Sequence, residues 1–238
     1  MHGDRDMALR DELKEYVETT LRSQWKIRDG NVVPDPESVT LENTAVRLEH
    51  ATVLYADLAS STRMVDGYKW HFSGEVYKTY LYCASRIIRN EGGEITAYDG
   101  DRVMGIFIGD SQSSSAAKCA LKINFAVKQI INPAIRAQYP SSDFSIAQCV
   151  GIDTSEVHAA RTGVRGDNDL VWIGRAPNYA AKLTELSATA PSWITETTFT
   201  RLSNDAKYGK DGQPMWEKRL WTSMDNKPVY RSTWWWSI

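Results

Sequence analysis

The sequence predicts an α+β fold of the ferredoxin-like kind, a split β-α-β-β-α-β arrangement with helices packed on a mainly antiparallel sheet. Three observations predict it. An apolar, β-branched run at 51–57 is followed by a long stretch with helical spacing, 68–90. Two strand-like runs, 94–98 and 102–108, flank Asp99, Gly100 and Asp101, and an Asp-Gly pair between β-runs is a strong hairpin signal. A second helical stretch then leads into further strands from 144 onward. With 238 residues, 42% of them hydrophobic and 24% charged, the chain can bury one proper core.

Composition also excludes several classes. A net charge of -2 leaves no basic footprint, so nucleic acid is not an expected partner. Cys83, Cys119 and Cys149 lie far apart without C-x-x-C spacing, which reads as free thiols in a reducing compartment. The polar N-terminus carries no secretory signal, and no apolar run approaches the ~20 residues of a membrane span. A cytoplasmic location is expected.

Taken in order, residues 7–28 read as an amphipathic helix, with Leu9, Leu13, Val17 and Leu21 recurring every four positions. A single such stripe must pack on something, the main domain or another chain. Gly30 and Asn31 end it, and Pro34 and Pro36 enforce an extended connector. The expected division is therefore 1–45, helix and connector, and 46–238, the main domain. Strand 51–57 and helix 68–90 follow, the latter with Val76, Tyr80, Cys83, Ile87 and Ile88 inward. Glu91-Gly92-Gly93 stops that helix, and the hairpin comes next. The second helix starts at 111–115, runs through Ala120, Ile123 and Val127, and is expected to stop near Asn132-Pro133. Strands are expected at 144–152, 157–160 and 170–173, a helix at 178–186, and short strands at 192–194 and 229–230. The stretch 207–218 reads as an exposed loop. Trp234, Trp235 and Trp236 form an apolar terminus that needs burial.

The chemistry starts at Asp57. It ends the first buried strand and is followed at once by Ala59, Ser60, Ser61 and Thr62, small residues that let backbone N–H groups approach a phosphate. In a split β-α-β-β-α-β fold the end of that strand meets the central hairpin, so Asp101 comes to lie beside Asp57. Two converging carboxylates repel unless a cation lies between them. Two Mg²⁺ or Mn²⁺ ions per site would satisfy them and bind polyphosphate, which points to displacement at phosphorus. Arg63 stands by as a further phosphate contact.

The ordered set of motifs resembles class III nucleotide cyclase catalytic domains. Tyr55-Ala56-Asp57-Leu58 with Ser61-Thr62, then Gly100-Asp101 through Phe107, is similar to their two metal motifs. The stretch from Gly151 to Val157 resembles their next strand-turn-strand, and Ile173-Gly174 through Asn178 and Lys182 their last active-site helix. The resemblance implies a class III cyclase fold acting as a homodimer with two sites at the interface. Each site would bind a nucleoside triphosphate, with Asp57, Leu58 and Asp101 holding metal and residues 59–62 the phosphates. Asn178 of the second chain would orient the ribose, and Lys182 would replace the arginine usual in the family. Residues four apart share a helix face, so Asn178 and Lys182 can address one ligand. Lysine lacks the guanidinium fork, and Arg175 is a candidate substitute. A late lysine, Lys210, Lys218 or Lys227, would add a phosphate contact.

Purine-specific members read their base with polar residues at two positions that here are Ala97 and Val171, neither of which can hydrogen-bond through its side chain. Tyr55, Tyr98 and Trp172 lie near these positions and would narrow the pocket toward a one-ring base. With Val33-Pro34-Asp35-Pro36, the run from Ala51 to Asp57 and the stretch from Gly174 to Lys182, the short chain also resembles the pyrimidine cyclases of Pycsar antiphage defence. That implies UTP converted to cyclic UMP and pyrophosphate as a defence signal. A cytidylate or adenylate cyclase of the same fold, or a non-catalytic nucleotide-binding dimer, is the alternative.

Overall fold

The computed structural model describes residues 2–186 and 190–238, residues 2–6 by their backbone alone. In chain order the elements are α1 (His2–Arg22), β1 (Lys26–Asp29), β2 (Thr44–Ala59), α2 (Ser61–Gly67), α3 (Trp70–Asn90), β3 (Glu94–Asp99) and β4 (Arg102–Phe107). There follow α4 (Gln112–Ala126), α5 (Asn132–Gln138), β5 (Ala147–Val164), β6 (Asp167–Gly174), α6 (Arg175–Thr184), β7 (Ser192–Thr195), α7 (Glu196–Thr200), α8 (Asn204–Lys207), β8 (Glu217–Trp221) and β9 (Lys227–Ser232). The chain divides into two compact units, one running to Leu48 and including His158–Ile173, the other made of Glu49–Val157 and Gly174–Ile238.

In the first unit α1 ends at Arg22, earlier than its periodicity suggests, because Lys26–Asp29 leave the helix to pair in parallel with the start of β2. Asn43 Nδ2 donates to the carbonyls of Thr20 and Ser23 at 2.7 and 2.9 Å, satisfying two acceptors at the helix end. Arg47 Nε donates to Asp29 Oδ1 at 2.7 Å across the β1–β2 pair. The stripe of Leu9, Leu13, Val17 and Leu21 is exposed. β6 pairs with β5 in this unit, and Arg161 ties Asn168 Oδ1 (2.6 Å) to the Val39 carbonyl (3.3 Å).

In the second unit the strand order is β3-β4-β2-β5-β7-β9-β8. The β2–β4, β3–β4, β7–β9 and β8–β9 pairs are antiparallel, while β5–β7 is parallel. Strand alternation sorts the side chains onto two faces. Leu54, Ala56 and Leu58 of β2, Val103 and Phe107 of β4, and Val150 and Ile152 of β5 meet Val76, Tyr80 and Ile88 of α3 and Ala120 and Ile123 of α4 in one core. Cys149 of β5, Trp193 of β7 and Val229 of β9 face the other way and pack with Leu183 of α6. The helices are thus not confined to one face: α6 covers the side opposite α3 and α4. At Gly151, a Cβ would stand 2.1 Å from the Ala180 carbonyl oxygen, so only glycine lets α6 approach β5 this closely.

Other expectations change in detail. The second helix does not stop at Asn132-Pro133. A π-helical turn over Val127–Ile131 carries it into α5, whose first turn tolerates Pro133 because that position needs no N–H donor. The two strands expected at 144–152 and 157–160 are one long β5. The stretch 207–218 is not a free loop: Met215 and Trp216 are buried, and Trp216 Nε1 donates to the Ala206 carbonyl at 2.8 Å. At the C-terminus Trp236 packs on the α3–α4 core and its N–H donates to the Leu121 carbonyl at 3.1 Å. Trp234 and Trp235 stay 39% and 45% exposed, so the tryptophan run is held by its backbone and by Trp236 more than by complete burial.

Candidate active site

The site lies in the second unit, on the sheet face shared with α6. Since Leu54, Ala56 and Leu58 point into the α3–α4 core, Tyr55 and Asp57 point to the opposite face. Asp57 pairs with Arg102 across β2–β4, and Asp99 pairs with Arg102 across β3–β4. Asp101 therefore occupies the two-residue turn between them, with Gly100 at φ 60° supplying the left-handed conformation its first position needs. The two carboxylates are brought together as the fold requires. Burial holds the Asp57 carboxyl above its ordinary range, and the nearby Asp101 charge pushes it further the same way. Arg102 and a hydroxyl contact from Thr184, 3.4 Å from Asp57 Oδ2, act against this. Tyr80, fully buried on α3, donates its hydroxyl to the Asp57 carbonyl at 3.3 Å and fixes the strand end from behind.

The chain leaves β2 through Ala59 and Ser60, and Ser60 takes φ 60°, a left-handed conformation that bends the backbone into α2 at Ser61. Leu58, Ala59, Ser60, Ser61 and Arg63 line one side of a cavity of about 200 Å³, which Phe144, Ser145 and Ile146 close from the other. Thr62 lies in the first turn of α2.

On α6, Ala176, Pro177, Ala180, Leu183 and Thr184 are buried, and Asn178 and Lys182 are exposed one turn apart. Asn178 Nδ2 donates to the Gly174 carbonyl at 3.2 Å, and among the described residues Lys182 Nζ has only a weak approach to Met224 Sδ at 4.0 Å. Arg175, by contrast, is engaged: its Nε and Nη2 donate to the two oxygens of buried Asp153 at 2.8 and 3.2 Å. Nothing in the order of residues announced that pairing, although an acid within the apolar run of β5 is a group that needs a partner.

The expected base-pocket residues do not all converge. Tyr55 is half-buried, with the Arg102 guanidinium 5.5 Å from its ring centroid, and burial raises its hydroxyl pKa. Ala97 pairs with Met104, which pairs with Tyr55 on its other side. Tyr98 turns the other way: its hydroxyl lies 2.9 Å from Ser85 Oγ on α3. Successive strand residues face opposite sides, and the bulge between Ile95 and Ala97 sets that Ala97, not Tyr98, shares the face of Tyr55. Val171 and Trp172 lie on β6, in the first unit, where Val171 is exposed and the Trp172 indole N–H has no hydrogen-bond partner among the described residues.

No protein-family model matches the chain. It is 50% identical over 233 residues to a uridylate cyclase of Xanthomonas perforans, an alignment that covers 98% of this chain and 100% of that one. It is 53% identical over 233 residues to a uridylate cyclase of Burkholderia cepacia, with the same coverage. Among solved structures it superposes on a bacterial light-regulated adenylyl cyclase with a TM-score of 0.66 at 19% identity, covering 78% of this chain and 51% of that one. Identity at that level, sustained over nearly the whole chain and joined to the cyclase fold, makes the protein a nucleotide cyclase of class III, and it belongs to the uridylate cyclase family.

Proposed function

We propose that the chain converts UTP to cyclic UMP and pyrophosphate, and that Asp57 and Asp101 organise the reaction. The observation that carries this reading is the meeting of these two carboxylates at the strand end, on the face covered by α6. The choice of UTP is supported by the uridylate cyclases that share half of its sequence and by Ala97, whose methyl group can read no purine edge.

The residues fit a divalent cation. Asp57 is held above its ordinary range by burial and by Asp101, a strain that a positive ion between them would relieve. Among the described residues no three His, Cys, Asp or Glu side chains cluster, so the remaining ligands would be oxygens of Leu58, of substrate phosphates and of water. Two Mg²⁺ or Mn²⁺ ions bound there would acidify the ribose 3′-hydroxyl and neutralise the departing pyrophosphate. The chain's own residues do the rest. Backbone N–H groups at Ala59, Ser60, Ser61 and Thr62 hold the β- and γ-phosphates at the turn into α2. In a homodimer with sites at the interface, Asn178 of the partner subunit orients the ribose and Lys182 of the partner subunit faces the charge building on the α-phosphate. Lys227 is the late lysine that fits best, because it stands on the β8–β9 hairpin whose Met224 meets Lys182. The 3′-oxygen forms a bond to the α-phosphorus, the α–β bridging bond breaks, and the hydroxyl proton leaves to solvent. Tyr55 forms a wall of the base pocket, and the cyclic nucleotide serves as a second messenger in antiphage defence, as in the cyclases the sequence resembles.

The test is product analysis after incubating the purified chain with UTP, CTP, ATP or GTP and Mn²⁺. Cyclic UMP from UTP is expected, and Asp57→Ala and Asp101→Ala should each abolish it. Cyclic CMP as the main product would move the substrate assignment, and no cyclic nucleotide from any of the four would end the reading.

A further inference from the structure

In the second unit the first turn of α6 is anchored to β5. Asp153 lies on β5 with its side chain wholly buried, and Arg175, the first residue of α6, is partly exposed above it. The guanidinium grips the carboxylate with two N–H groups, and its remaining Nη2 hydrogen goes to the Thr154 carbonyl at 2.7 Å. The other carboxylate need is met by Thr195 Oγ1, which donates to Asp153 Oδ1. Ser155 Oγ accepts the N–H of Ala176 at 3.0 Å, so a second link ties the same helix turn to the same strand. The Arg175 guanidinium also lies 5.5 Å from the Tyr179 ring centroid, and Tyr179 sets its ring edge-on to Trp221 at 5.5 Å.

This assembly is more than a surface ion pair. Behind Asp153 the hydroxyls of Thr195, Thr198, Thr154, Thr52 and Ser113 form a chain of contacts between 2.9 and 3.2 Å, running through β7, α7, β5, β2 and α4. The carboxylate is thus fixed by the buried framework, and it in turn fixes Arg175. Three of the five guanidinium N–H groups are spent on β5, which favours Lys182 over Arg175 as the replacement for the family's usual arginine. Asn178 follows Arg175 by three residues and Lys182 by seven, so both ride on the turn this contact sets.

We propose that Asp153 and Arg175 are positioning residues for the cyclase reaction: their ion pair sets the register and tilt of α6 and so aims Asn178 and Lys182, without itself touching the nucleotide. The inference rests on the reading of Asn178 and Lys182 as site residues. A fixed geometry of this kind governs the chemical step more than ground-state binding, since a misplacement of about 1 Å costs roughly a hundredfold in rate. Lysine at 175 keeps the charge over Asp153 but cannot make the fork.

The experiment compares full-length wild type, Arg175→Lys, Asp153→Asn, the double variant and Asn178→Ala, with Mn²⁺ and the nucleoside triphosphate that the wild type turns over fastest. Expected for Arg175→Lys and Asp153→Asn is a kcat lower by about ten- to a hundredfold, a KM moved by less than about threefold, and a double variant no worse than the poorer single, because the pair acts as a unit. Thermal unfolding of each variant must show it folded at the assay temperature, and Asp153→Glu serves as a second probe of the carboxylate should Asp153→Asn not fold. The proposal is overturned if folded Arg175→Lys keeps kcat within about twofold, or if the two single losses multiply in the double variant. Loss in Asn178→Ala with activity kept in Arg175→Lys removes the positioning role alone. Activity kept in Asn178→Ala removes the site assignment, and the positioning role with it.

Discussion

Replacing Gly151 with alanine tests whether the approach of α6 to β5 matters for chemistry. The new Cβ would lie 2.1 Å from the Ala180 carbonyl oxygen and 2.8 Å from Leu183 Cβ, whereas real Cβ contacts under 3.0 Å essentially do not occur. The obstructing oxygen is helix backbone and cannot rotate aside, so α6 itself must lift by about 1 Å. Ala180 lies midway between Asn178 and Lys182, and both travel with it. A shift of that size predicts a fall in kcat of roughly a hundredfold. Overpacking should also cost about 1–3 kcal/mol of stability, at roughly 2–4 °C of unfolding midpoint per kcal/mol for a chain of this size. Gly93→Ala is the control, because its Cβ would meet the Phe107 ring at 2.6 Å and Ile88 at 2.8 Å, on the α3 side of the sheet. Steady-state formation of cyclic nucleotide with Mn²⁺, alongside thermal unfolding by circular dichroism, separates the two effects. If Gly151→Ala loses no more kcat than Gly93→Ala at matched loss of stability, the geometric argument is wrong.

Three further outcomes are expected. Burial pushes the Cys149 thiol up to about 12 from a usual 9.0, with the Asp57 charge adding to the effect. A thiol that holds its proton more tightly when folded gives stability that is complete below pH 9.0 and is lost as pH rises toward 12; urea midpoints should show this in wild type and less in Cys149→Ala, and parallel curves would clear the thiol of blame. Thr154→Val removes a hydroxyl in contact with those of Thr52, Ser113 and Thr198 at 2.9–3.1 Å, and stranding these partners should cost about 1–3 kcal/mol in chemical denaturation, with an unchanged m-value. Chelation with EDTA should stop turnover and Mn²⁺ should restore it; full activity in excess EDTA would contradict the metal reading.

Local signals carried the sequence reading a long way. The α3 periodicity, the Asp-Gly hairpin and the order of helices and strands are properties of short windows, and they place Asp57 beside Asp101 without any coordinates. The spacing of Asn178 and Lys182 is equally local, and both emerge on one exposed turn of α6. What stayed hidden depends on neighbours distant in the chain. Lys26–Asp29 carry three charges in four residues and form a strand because β2 supplies an edge, not through their own propensity. Asn132-Pro133 looked like a stop because a π turn upstream is invisible to a 3.6-residue pattern. Tyr98 is the neighbour of Ala97 in sequence but lies on the other face of β3, and the bulge that decides which of the two faces α6 leaves no trace in the residue order. The Asp153–Arg175 pair joins residues 22 apart, and neither sequence position states which partner it takes.

Thr184, the last residue of α6, touches Asp57 of its own chain at 3.4 Å, while Asn178 and Lys182 stand exposed earlier on the same rod. Six residues of helix span about 9 Å, with no joint between them. Under the proposed role of Asn178 toward a partner's nucleotide, one short helix would border two active centres, its tail at the home carboxylate and its middle at the neighbour's ribose. Filling one centre would then be communicated to the other by movement of the rod, and the two halves of such a dimer would not turn over independently. Cooperativity in substrate saturation would be the visible sign of this reciprocity.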